Sequence, residues 1–117
     1  MKDILSKTLQ VWKNKNGENS SIYPEDKIVE IATNCVSLSE TWFDRTKDKK
    51  VSFELNLYNK DGDLSETLHG VGRNNLPYTM LDIAVNNNDK YSKLELCTFR
   101  FKDGEKEEHS IGEMLIS

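Results

Sequence analysis

Two cysteines and two histidines are the whole stock of thiols and imidazoles in this 117-residue chain. Cys35 and Cys97 stand far apart without a Cys-x-x-Cys spacing, which argues against a zinc knuckle or a dithiol redox pair and predicts two buried thiols. No nucleophile motif, metal-ligand cluster or nucleotide fingerprint of high specificity occurs, so neither a cofactor nor a metal is expected, and an enzyme is not the leading expectation. No apolar run approaches the length that crosses a membrane, and the start of the chain lacks the basic-then-apolar order of a secretion signal. The expectation is a soluble, cytoplasmic protein in which Asn19-Ser20-Ser21 matches a glycosylation sequon by coincidence.

What is present is a hydrophilic globular composition, 36% hydrophobic and 31% charged, too rich in Trp, Phe, Ile and Leu for disorder. A chain of this length forms one domain, residues 1–117, and buries roughly two-thirds of its unfolded surface without staples. The net charge of −4 is uneven: residues 1–50 carry nine Lys/Arg against eight Asp/Glu, and residues 51–117 carry seven against twelve. The second half is therefore at −5, which disfavours a phosphate backbone as partner and favours a basic protein.

Hydrophobic periodicity changes along the chain. Asp3 is placed to cap a first helix, whose Leu5, Thr8, Leu9 and Trp12 follow the i, i+3, i+4, i+7 spacing of one face and which ends near Asn14. Residues 14–21 read as a loop. Tyr23-Pro24-Glu25-Asp26 opens a second helix with an apolar stripe of Ile28, Ile31, Ala32, Cys35, Leu38 and Trp42, widened by Val29, Val36 and Phe43 to cover a sheet. Ser37-x-x-Glu40 is a capping-box pattern at which that helix can break and restart, and the charges of residues 47–50 close the helical part. Strict alternation follows, with Val51, Phe53, Leu55 and Leu57 turned to a core and Ser52, Glu54, Asn56 and Tyr58 turned to water. Asn59-Lys60-Asp61-Gly62, Asn86-Asn87-Asn88-Asp89 and Lys102-Asp103-Gly104 supply turn chemistry. They predict strands at residues 64–71, 78–85 and 91–101 and a last strand after Gly104 that includes Ile111. In residues 91–101 the apolar set moves from Leu94 and Leu96 to Cys97, Phe99 and Phe101, which predicts a bulge or burial on both faces. The fold class is α+β: two N-terminal helices packed on an antiparallel meander of about five strands.

Candidate chemistry is sparse. His69, near Glu66, and His109, after Glu107 and Glu108, form an acid/base pair only if the fold brings them together. Cys97 beside either histidine can be drawn as a nucleophile pair, though no spacing demands it. Gly70-Val71-Gly72-Arg73 has the glycines and cation of an anion loop but runs into Asn74-Asn75-Leu76-Pro77, read as a turn, so a weakened strand end is the simpler account. Asn59 to Asp63 is half a calcium loop without the distal ligands, better explained as a hairpin turn. Trp12, Trp42 and Phe43 fall at core periodicity.

The run Thr41-Trp42-Phe43-Asp44-Arg45-Thr46, followed by an acidic glycine turn and Gly70-Val71, resembles the opening of the small immunity proteins that neutralise cloacin and related ribonuclease colicins. Those proteins open on a Thr-Trp-Phe-Asp run followed by a basic and a hydroxyl residue, and the likeness spans roughly a quarter of this chain. The resemblance implies a compact acidic protein that blocks a basic toxin by surface complementarity. It also implies a first β-strand for the Trp-Phe-Asp run, where the periodicity here predicts the end of a helix. Asp44, Asp61, Asp63 and Glu66 lie inside the similar stretch. Together with Arg73, Glu105, Glu107 and Glu108 they are the candidate contacts for a basic protein partner, a toxin or nuclease. The alternative is a small-molecule binder or enzyme with a pocket between helix and curled sheet, near His69, Phe99 and Phe101.

Overall fold

A computed structural model describes residues 2–17, 23–46, 52–70 and 73–116, in the order α1 (Lys2–Asn16), α2 (Glu25–Thr46), β1 (Ser52–Asn59), β2 (Leu64–Leu68), α3 (Leu76–Asn86), β3 (Tyr91–Lys102) and β4 (Glu105–Leu115). The four strands form one antiparallel sheet of order β2-β1-β3-β4. All three helices pack against each other, with α2 against β4 and α3 against β3, so they make one layer over one sheet face. The α+β class with an antiparallel sheet is as expected, and the four strands described come close to the expected five; the uninterrupted meander is not found.

The helices follow the apolar spacing. In α1, Thr8 and Trp12 are buried and Leu5 and Leu9 pack beside them; Asp3 sits in the first turn rather than at the cap. Pro24 directly precedes α2 and its carbonyl accepts from the Lys27 and Ile28 amides, so the ring ends the preceding segment where a helical N–H partner is not required. The helix continues through Ser37 without a break. Ile28, Ala32, Cys35, Val36 and Trp42 are buried, and Trp42 stacks edge-on against Phe53 of β1 at 4.3 Å between centroids. The Thr41 to Thr46 run therefore lies in the last turns of a helix and not on a strand. The end of the loop predicted at residues 14–21, the charge cluster at residues 47–50, and Val51 lie outside the described residues.

Residues 78–85, predicted as a strand, belong to α3. Two periods coexist there. Thr79, Leu81, Ile83 and Val85 alternate, but Leu76, Met80, Ile83 and Ala84 also recur at helical spacing, and Pro77 fits a first turn. Burial of Leu76, Met80, Leu81, Ile83, Ala84 and Val85 between the other helices and the sheet settles the competition in favour of the helix. The chain therefore crosses from β2, at one edge, through α3 to β3, leaving two hairpins joined by the β1–β3 pairing. The strand expected over residues 64–71 stops at Leu68. The Gly70 to Arg73 stretch leads into a short 3-10 turn and α3, correcting the expected plain turn; Val71, Gly72 and the Arg73 side chain lie outside the described structure.

Both hairpin turns form where the turn residues lie. The Asn59 side-chain oxygen accepts from the Asp61 and Asp63 amides at 3.0 Å each. Asp103 and Gly104 adopt φ of 55° and 82°, the doubly positive pattern of a two-residue hairpin. Between Leu96 and Cys97 the β3–β4 register shifts by one residue of β4, at the position where the apolar pattern changes face.

Candidate functional site

The sheet face opposite the helices is the polar face of β1, and its centre is more buried than the alternation predicts. Register puts Glu54, Asn56 and Tyr58 of β1 beside Cys97, Glu95 and Lys93 of β3, with Thr67 and Leu64 of β2 and Ser110, Glu113 and Leu115 of β4 completing the rows, and with Glu108 and Lys106 of β4 farther along the same face opposite Phe99 and Phe101. Glu54, expected in water, is 1% exposed. The residues that cover it come from both flanks. Lys106 Nζ donates to its two oxygens at 2.8 and 3.1 Å, and His69 Nε2 lies 2.6 Å from Oε2. The Lys106 ammonium also sits 4.9 Å from the centre of the Phe99 ring, which meets His69 and Phe101 edge-on.

Burial pushes the Glu54 carboxyl up, but the hydrogen bonds from Glu108, Lys106 and His69 outweigh it and hold the group below the ordinary carboxylate range. Glu108 moves the other way, raised first by its hydrogen bond to Glu54 and then by burial and repulsion. Of the two carboxyls, Glu108 is therefore the one that takes up a proton first as pH falls, while Glu54 stays ionised. Toward the middle of the face, Asn56 accepts from Thr67 at 2.8 Å and turns its amide toward Glu95 and Glu108 at 3.4 Å each, while Tyr58 donates to Glu95 at 3.1 Å. Glu95 is held low: burial raises it, and the donors Ser110, Asn56, Cys97 and Tyr58 more than offset that. Cys97 is pushed up to about 12 by burial and by the Glu95 and Glu108 carboxylates, so its thiol is a proton donor in this network and no nucleophile.

His109 pairs with Thr98 and so lies by register on the helix side of the sheet, away from His69. The two histidines do not form an acid/base pair. The partner of His69 is Glu54, not the Glu66 close in sequence, and Glu66 instead accepts from the Tyr91 hydroxyl at 2.5 Å. Comparison with models of known families, with curated proteins and with solved structures returns no match to this chain. Its chemistry stands on geometry alone. Among the described residues no group of His, Cys, Asp and Glu has the arrangement of a metal site.

The seven candidate contacts whose side chains are described do not form one patch, and the Arg73 side chain lies outside the described structure. Asp44 is exposed near the end of α2, Asp61 and Asp63 are exposed in the β1–β2 turn, and Glu66 is on the helix side of β2. Glu105 and Glu107 lie on the helix side of β4, the latter paired with Arg100 at 3.0 Å, and only Glu108 joins the network. The face is built by residues that sequence reasoning assigned to solvent or passed over: Glu54, Glu95 and Glu113, set against Lys93 and Lys106. His69, Phe99 and Phe101 do cluster, as the pocket alternative expects, but on the face away from the helices and with Phe101 70% exposed. A separate depression of about 200 Å³ lies between α1, α2 and the start of α3, lined by Ile4, Thr8, Val11, Phe43, Pro77 and Tyr78 among others.

The large apolar side chains left exposed among the described residues are Ile4, Leu64, Phe101 and Leu115. Leu64 pairs with Tyr58, Leu115 with Lys93 and Phe101 with Lys106, so three of these four lie on the helix-free face. Leu64, Tyr58, Lys93 and Leu115 form one row across all four strands. Phe99 and Phe101 stand at the other end, with the carboxylates between. Among the described residues, no helix is long and apolar enough to cross a membrane.

Proposed function

We propose that this protein is a binding module that takes a basic protein partner, a toxin or nuclease blocked in the manner of an immunity protein, on the helix-free face of its sheet. The observation that carries the proposal is the concentration of exposed Leu64, Phe101 and Leu115 on one face, around a carboxylate network in which Glu54, Glu95, Glu108 and Glu113 outnumber Lys93 and Lys106. Apolar anchors beside polar groups are the anatomy of a protein interface, and excess negative charge steers a basic partner and rejects acidic ones. The high pKa of Cys97 and the separation of His69 from His109 favour binding over catalysis. The short resemblance to colicin immunity proteins agrees in partner class, although its Trp-Phe-Asp run lies in a helix here.

The test is titration calorimetry against the product of the adjacent upstream reading frame, catalytically disabled. One-to-one binding that weakens with salt is expected, with affinity lost in a Phe101→Ser, Leu115→Ser variant that keeps its unfolding midpoint. Binding unchanged by that variant, or absent altogether, rejects the proposal.

A further inference from the structure

The sheet has two edges, and they are not equally protected. An edge strand presents unpaired N–H and C=O groups to any passing strand, and proteins blunt that hazard by keeping the edge short, bulged, or studded with proline or lysine. At one edge, β2 has five residues and a register break against β1. At the other, β4 has eleven residues and no proline, and its irregularity is confined to the step from Ser110 to Gly112. Residues 105–110 pair without interruption with residues 97–102 of β3 and stay open on their outer side. Six residues at about 3.4 Å each give an open edge of about 20 Å. Five of the six are exposed, and among the described residues no other element forms a backbone hydrogen bond with them. The lysine of this stretch, Lys106, is drawn onto Glu54 and does not guard the edge.

What remains as protection is charge. Glu105, Glu107 and Glu108 stand against Lys106, and an antiparallel pairing of this stretch with a second copy keeps the two sheet faces matched, so its registers set Glu107 opposite Glu107, Glu108 opposite Glu108 or Glu105 opposite Glu107. Like charges facing across strands oppose pairing, so the three glutamates against one lysine disfavour a second copy at this edge. A basic strand meets no such barrier. Resting on the reading of a basic protein partner, we propose that this partner includes an extended, lysine- or arginine-bearing segment that adds as a fifth strand to the outer edge of β4 at residues 105–110. Backbone pairing holds that segment, and Glu105 and Glu107 on one face and Glu108 on the other select its charge.

The experiment is amide hydrogen exchange by NMR on the full chain, with a blocked peptide of alternating lysine and valine as probe. The outward-directed amides within residues 105–110 should exchange about tenfold more slowly with the peptide than without it, in an alternating pattern. A peptide N-methylated along one edge, and a glutamate–valine counterpart, should produce no slowing. Glu105→Lys, Glu107→Lys should reverse the choice of peptide. No slowing at millimolar lysine–valine peptide overturns the inference. So does slowing that persists with the N-methylated peptide, and so does concentration-dependent slowing in the protein alone, which makes a second copy the occupant. Shifts confined to Leu64, Phe101 and Leu115 with unchanged amides at residues 105–110 also overturn it, while leaving the face as the binding surface.

Discussion

Replacing Glu54 by glutamine keeps the shape of a side chain that is 1% exposed and removes its charge. Hydrogen bonds to charged groups contribute about 1.5–3 kcal/mol each in protected settings. Here the donors Lys106 and His69 are 38% and 57% exposed, so water takes over much of what the carboxylate gave them, and the loss must be discounted. Removing the charge also relieves its burial and lets the Glu108 carboxyl relax toward its ordinary value. The net expectation for Glu54→Gln is a loss of about 1–2 kcal/mol near neutral pH, read as a lower urea midpoint with unchanged slope. The sign of the pH dependence follows from the depressed pKa of Glu54. The stability it contributes is present above the ordinary carboxylate value and is lost as pH falls through the lower folded-state value. The gap between wild type and Glu54→Gln should therefore narrow from about pH 7 to about pH 3. Lys106→Met should do the reverse: it leaves the carboxylate buried without its ammonium, raises its pKa, and makes the variant gain stability as pH falls from neutrality. Urea unfolding followed by tryptophan fluorescence across this range gives the answer, with Trp12 and Trp42 as buried reporters. Equal stability of Glu54→Gln and wild type at both ends, or a gap that widens on acidification, refutes the argument.

Trp42→Ala removes a ring that is 3% exposed and packed on Phe53 and Phe43, and should lower stability by about 3–5 kcal/mol in urea unfolding. A Cβ added at Gly112 meets Leu38 Cδ1 at 2.8 Å, the mobile end of a half-buried side chain, so Gly112→Ala should cost about 1 kcal/mol and Gly112→Val clearly more. Combining Gly112→Ala with Leu38→Ala should recover part of that cost in a double-mutant cycle. Both thiols, pushed up to about 12, should resist Ellman's reagent at about pH 8 in the folded protein and react fully on unfolding.

The parts of the fold legible in the sequence were those set by local chemistry. Asn59 makes its turn through bonds to residues two and four positions on, Asp103 and Gly104 through their own backbone, and β1 shows one face in its alternation. The α3 segment was not legible because an alternating and a helical set of apolar residues share it, and burial among α1, α2 and the sheet decides between them. The candidate site was hidden for a similar reason. Nothing near Glu54 announces that Lys106, 52 residues away, and His69, 15 residues away, will cover it. Phe99 and Phe101 were visible as apolar residues on the second face of β3; Leu64 and Leu115 came to the same face only through register shifts.

The crossover through α3 sets an order of events for folding. Each hairpin closes over a short turn, a matter of microseconds, and neither alone makes a continuous sheet. The seam between them joins Asn59 to Tyr91 and Ser52 to Phe99, contacts that carry the loop-closure entropy of everything between. Docking α3 onto the helical layer shortens that search by holding Leu76, Met80 and Leu81 in place while β3 finds β1. Met80→Ala should therefore slow refolding in stopped-flow more than it speeds unfolding, whereas substitutions in the Asp103-Gly104 turn should leave the seam-limited rate unchanged.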